Sequence, residues 1–188
     1  MKKTKASGPA IFMDWVIALC LITACACFFI YYSGFFRTSV ILWTGVTTFT
    51  ITYHLWLRII FGNITTLFKK RIRYNCWWFK EKRGERTFYD FIRVKVWKSK
   101  ALTYDPSAFS LKDNSLEQIA VNMAKAEADH WINVGISLST LLFALIWGQG
   151  WIFAITAFLA ILFDGQFIII QRFNRPRVVK LLAKSQTV

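Results

Sequence analysis

Four long apolar blocks limit this chain to one class of fold. They run from Ile11 to Tyr32, from about Thr38 to Phe61, from Trp131 to Trp147 and from Trp151 to Ile170. At about 1.5 Å of helical rise per residue, each spans roughly 25–35 Å, enough for a hydrocarbon core of about 30 Å. Within a bilayer every backbone N–H and C=O must be paired inside its own segment, so such blocks fold as helices. The expected architecture is an all-α integral membrane protein, a single domain over residues 1–188, with four spans arranged as two hairpins. Gly148-Gln149-Gly150 makes the second turn. The first block follows Lys2, Lys3 and Lys5 as a signal peptide would, but its run is longer than a signal core. Tyr31-Tyr32-Ser33-Gly34-Phe35-Phe36 offers no small-residue cleavage site, so it reads as a retained span.

Charge orients the spans. Between Lys69 and Lys112 there are 13 Lys and Arg against four Asp and Glu, and the segment after Ile170 adds Arg172, Arg175, Arg177, Lys180 and Lys184. The turn at Gly148-Gln149-Gly150 carries no charge. The positive-inside rule therefore predicts a multi-pass membrane protein with both termini and the central segment in the cytoplasm. The net charge of +14 is accounted for by orientation and anionic headgroups. A nucleic-acid partner would need a soluble module, and none is visible. Cys20, Cys25, Cys27 and Cys76 form no CxxC pair and read as small apolar residues; no cluster suggests a metal or a resident cofactor.

The cytoplasmic stretch 68–130 reads as interfacial. Its Tyr74, Trp77, Trp78, Phe79, Phe88, Tyr89, Phe91 and Trp97 alternate with cations, a pattern for rings in the headgroup zone and snorkelling Lys and Arg stems. Pro106 marks a loop. Ser115-x-x-Gln118 then has the form of a capping box, and Leu116, Ile119, Ala120, Met123 and Ala124 follow helical spacing. The amphipathic helix they predict feeds into the third span.

Two polar clusters bracket the last hairpin, Ala126-Glu127-Ala128-Asp129-His130-Trp131 and Gln171-Arg172-Phe173-Asn174-Arg175-Pro176-Arg177. Two crossings return both to one membrane face. Glu127 and His130, three residues apart, share a helix face and can touch; a carboxylate that orients an imidazole makes a general base. The same pair also suits a helix-end anchor, with Trp131 in the aromatic belt. Arg172, Arg175 and Arg177 are either a basic stop or forks for phosphate and carboxylate, with Gln171 and Asn174 adding amides. Inside the spans lie Asp14, His54, Arg58 and Asp164, ionisable groups that face a bundle interior or a wet cavity. They read as cavity-lining residues or, for Asp14 and Arg58, as a structural pair.

From Thr87 to Leu182 the chain resembles the glycosyl-4,4'-diaponeurosporenoate acyltransferase family. The resemblance rests on Phe88-Tyr89-Asp90, Trp97-Lys98-Ser99-Lys100, Phe109, Ala126-Glu127-x-x-His130-Trp131 and the Gln171-to-Arg177 block. It implies transfer of a fatty acyl group, from acyl-CoA as co-substrate, to a hydroxyl of a glycosylated carotenoid or related glycolipid in the cytoplasmic leaflet. Membrane lipids, the acyl donor and the acceptor are then its partners. On that implication His130 is the base, supported by Glu127, and Asn174 donates to the oxyanion. Lys98, Lys100 and the arginines hold phosphates, and Trp97, Trp131 and Gln171 complete the substrate site. The rival expectations are a small four-helix transporter, drawn from the intramembrane polar set, and a non-catalytic partner of a lipid-modifying enzyme.

Overall fold

The computed structural model describes residues 8–101 and 106–185. Lys2, Lys3 and Lys5, which bear on the signal-peptide reading, lie outside the described residues. All regular structure among the described residues is helical. The long helices are α1 (Gly8–Tyr32), α2 (Ser39–Leu67), α5 (Leu116–Ser139) and α7 (Gly150–Ser185), and the short ones are α3 (Glu85–Phe91), α4 (Val94–Trp97) and α6 (Ala144–Trp147). Three stretches are long and apolar enough to cross a membrane: Ile11–Tyr32, Leu116–Trp147 and Gly150–Ser185. The second of these, Leu116–Trp147, joins the predicted amphipathic helix and third span in one helical run, and α7 runs past Ile170 through Pro176. The expected second span, from about Thr38 to Phe61, corresponds to α2, whose threonines, Tyr53, His54 and Arg58 keep it below the hydropathy of those three.

The described chain divides into two compact units. The first contains residues up to Ile60 and Gly135–Ile161. Its core is Val46, Ile152 and Phe153, surrounded by Phe28, Leu42, Phe143, Ala144 and Trp147. Aromatic rings carry much of this packing: Phe28 stacks on Trp147 at 5.3 Å, and Phe49 meets Trp147 edge-on at 5.1 Å and Phe143 at 5.2 Å. Gly45 allows the close approach of α2 to α1, because a Cβ there would stand 3.1 Å from both Cys27 Cβ and the Phe28 ring. Thr44, Thr48, Thr50 and Thr52 each donate a hydroxyl to the carbonyl four residues back, at 2.7–2.9 Å, which hides their polarity within the helix. Tyr53 and His54 hydrogen-bond Ser139 and Ser137. Gly148, at φ 69°, closes α6 in the left-handed conformation that glycine accepts without cost.

The second unit contains residues 61–134 and 162–188. Its α5 starts at the predicted capping box: Ser115 N–H donates to Gln118 Oε1 at 2.8 Å, and Gln118 N–H donates to Ser115 Oγ at 3.2 Å. Ile119, Ala120, Met123 and Ala124 are buried as their spacing predicts. The interfacial stretch folds as short helical turns that dock on α7 through Tyr89, Val94 and Phe173, flanked by Ile92, Trp97 and Ile169. Trp77, Phe88, Phe91 and Val96 stay exposed. On α7 the buried positions of this unit are Asp164, Ile168, Gln171, Phe173 and Arg175, while Leu162, Phe163 and Leu181 are exposed. Polar side chains inside and apolar ones outside are the reverse of a water-soluble helix and the arrangement a bilayer favours.

Gly45 and Gly62 give a paired test. Gly45→Leu is expected to lower the melting temperature of the detergent-solubilised protein by several degrees through overpacking. Gly62→Ala, where nothing lies within 4 Å of the new Cβ, is expected to leave it unchanged or raise it. Equal effects from the two changes would refute the tight α1–α2 contact.

Candidate functional site

The second unit brings the two polar clusters together along the α5–α7 seam. Contacts run in opposite order on the two helices, His130 and Asn133 meeting Asp164 and Glu127 meeting Arg172 and Arg175, so this seam is antiparallel. Two layers of polar groups result.

In the first layer His130 Nδ1 lies 2.8 Å from Asp164 Oδ1. Asn133 Nδ2 donates to the same oxygen at 3.1 Å. As a carboxylate Asp164 can only accept, so Nδ1 carries the proton and Nε2, across the ring, is left to accept one. The imidazole stacks on Phe167, centroids 4.7 Å apart and planes within 10°. Asp164 has no exposed side-chain surface, whereas His130 keeps 23% of its own. The acid is sequestered and the base is reachable.

In the second layer the completely buried Glu127 accepts from Arg172 Nη1 at 2.7 Å and from Arg175 Nη1 at 2.5 Å. Arg172 also donates to Glu85 through Nε and Nη2, to the Trp78 carbonyl at 3.1 Å and to the Lys80 carbonyl at 3.2 Å. Those bonds occupy all five N–H groups of its guanidinium. Arg175 Nη2 donates to the Phe79 carbonyl at 2.5 Å, and its guanidinium stands over the Phe79 ring at 5.0 Å. The two arginines therefore clamp the interfacial stretch to α7. Tyr89 joins this layer by donating to Glu85 at 3.2 Å and meeting Phe173 edge-on. Burial first, then the Glu85 charge, pushes the Tyr89 phenol up to about 12.

Several expectations about this site change. Glu127 does not support His130; its oxygens are taken by the arginines, and Asp164 holds the imidazole. Arg172 has no N–H left for a phosphate. Asn174 accepts from Lys98 Nζ at 2.7 Å, and Lys98 also lies over the Phe173 ring. Burial, then the Arg177 and Lys95 charges, lowers the Lys98 pKa. Trp97 donates its indole N–H to the Ile92 carbonyl at 3.0 Å, a packing role. Arg177 is exposed and stacked on Phe173, Lys100 is exposed, and Trp131 is exposed with its ring edge-on to Trp78. Gln171 is buried. Asp14, His54 and Arg58 belong to the first unit, where Asp14 is exposed. Among the described residues no three His, Cys, Asp or Glu side chains come together as metal ligands, and all four cysteines are free thiols.

Asn133, Phe167 and Glu85 were missed. Asn133 carried a signal, an amide inside an apolar block one helical turn from His130. Glu85 carried none, being one acid within a charged stretch.

The family model for glycosyl-4,4'-diaponeurosporenoate acyltransferases matches residues 75–184. The chain belongs to this family. The matched stretch contains every residue of both layers, so the site is the acyltransferase family's own part of the chain. Acyl transfer is the activity in the family description, and the apolar helices make this member a membrane protein. No curated protein and no solved structure matches the chain.

The buried layer is open to two tests. Removing one partner of a buried ion pair strands the others, at a cost of about 3–5 kcal/mol; Glu127→Ala is therefore expected to reduce the folded yield sharply on fluorescence-detected size exclusion. A near-normal yield would mean the arginines find other acceptors. The raised phenol of Tyr89 favours its neutral form in the fold, so its stabilising effect is complete below pH 10 and is lost as pH rises towards about 12. Tyr89→Phe is expected to weaken the alkaline loss of melting temperature over that interval; curves that stay parallel would contradict it.

Proposed function

We propose that this chain moves a fatty acyl group from a coenzyme A thioester to a hydroxyl of a glycosylated carotenoid or related glycolipid, with His130 as general base. The observation that carries the reading is the reachable His130, oriented by a buried Asp164 that is itself held by Asn133. A base whose far nitrogen is fixed by a buried carboxylate is the arrangement that activates oxygen nucleophiles in acyl transfer.

The reaction balances on this one base. The acceptor hydroxyl gives its proton to Nε2 as its oxygen attacks the thioester carbonyl. Collapse of the tetrahedral intermediate breaks the C–S bond, and the proton on Nε2 passes to the departing thiolate. Lys98, Lys100 and Arg177 are the cations we assign to the donor's phosphates, since Arg172 and Arg175 are engaged. Asn174 stands seven residues past Phe167, about 10 Å of helix. Lys98 occupies its carbonyl, so its N–H groups face the donor's polar head rather than the carbonyl under attack.

The same reading takes α2 as a fourth crossing, completing two hairpins. Its 29 residues are long enough, and its back-bonded threonines lower the cost of entering hydrocarbon. With four crossings, the basic stretch after Leu67 and the end of α7 lie on the cytoplasmic face of a bacterial cell membrane.

In cells that make a glycosylated carotenoid acid, lipid mass spectrometry is expected to show an acyl-sized mass increase that depends on this chain. His130→Ala and Asp164→Asn are each expected to slow ester formation about 10²–10⁴-fold while the protein level holds. Full acyl transfer by His130→Ala would refute the base, and solute flux without a covalent product would favour a transporter.

A further inference from the structure

Gln171 is a buried polar group on α7 that neither layer uses. Its side chain sits on the inward stripe of α7 between the two layers, 8% exposed. Its carboxamide has no hydrogen bond to the protein among the described residues, and Oε1 is fully buried. A buried amide left without a partner costs free energy that an apolar side chain of the same length would avoid. Burial without a protein partner therefore points to a partner that arrives with the substrate.

Position and charge narrow that partner. Phe167, stacked on His130, is one helical turn from Gln171, about 6 Å along the axis. A group bound at Gln171 is thus within one sugar ring of a hydroxyl at His130. Beside it the charges of Arg172 and Arg175 are balanced by those of Glu85 and Glu127, so no excess positive field selects an anion. A carboxamide offers an acceptor and two donors on one planar end, which matches neighbouring hydroxyls, each both donor and acceptor. Phosphate, an acceptor only, would leave Oε1 unpaired.

We infer that Gln171 is the subsite for the acceptor's sugar, pairing with hydroxyls next to the one that His130 deprotonates. This rests on the acyl-transfer reading of the site and adds the residue that selects a glycosylated acceptor over a simple alcohol.

The test uses cells that synthesise a glycosylated carotenoid acid and carry this chain, or its Gln171→Met or Gln171→Asn form, as their acyltransferase. Ester accumulation is followed by lipid mass spectrometry, and the melting temperature of each purified protein is measured in detergent. Gln171→Met is expected to melt at or above the unsubstituted protein while its ester rate falls about tenfold or more, the loss of one or two hydrogen bonds. Gln171→Asn, which keeps the amide on a shorter stem, is expected to fall between them. An unchanged rate in Gln171→Met overturns the subsite and leaves the acyl-transfer reading standing. A marked fall in its melting temperature also overturns it, because the carboxamide would then be a packing partner. If the unsubstituted chain forms no ester in these cells, both readings fail together.

Discussion

A carboxylate with no exposed surface governs the second unit. Glu127 sits fully buried in the seam between α5 and α7, where an unpaired charge would cost several kcal/mol. It is tolerated because Arg172 and Arg175 bring two cations to its two oxygens. Those guanidinium groups in turn must spend their remaining donors, and they do so on the carbonyls of Trp78, Phe79 and Lys80 and on Glu85. One buried acid therefore sets the register of α5 against α7 and fastens the interfacial stretch to both. The aromatic contacts of Tyr89 and Phe173 then close over a backbone that is already positioned.

That register explains the first layer. With Glu127 opposite Arg172 and Arg175, an antiparallel α7 brings Asp164, eight to eleven residues back from those arginines, opposite His130 and Asn133, three to six residues on from Glu127. The dyad is a consequence of the clamp and shares no side chain with it. A change at Glu127 reaches His130 only through the helix register, whereas a change at Asp164 reaches it directly.

Much of this was readable from composition and spacing. The apolar blocks, the capping box at Ser115 and Gln118, the buried face of α5 and the convergence of the two polar clusters all follow from periodicities that a single helix carries. The partners across the seam do not. Spacing places Glu127 and His130 on one face, but which of them meets which group depends on how far α7 slides along α5. That offset is decided by long-range pairing of charges. Local spacing therefore favoured Glu127 as the support of His130, and Asp164 entered only as a polar residue inside a span. Hydropathy ranks α2 below the three candidate spans for a related reason: it scores a threonine hydroxyl without regard to the back-bonding that satisfies it.

The contrast among the three arginines of α7 follows from the same pairing. Arg172 and Arg175 point into the seam and are consumed by structure, while Arg177, on the opposite side of the helix from Arg172, is left over the Phe173 ring with its charge exposed. Lys98 reaches the same ring from the interfacial stretch and ties it to Asn174. Arg175 also stands over an aromatic ring, that of Phe79, so the buried carboxylate and not the ring separates the engaged arginines from the exposed one.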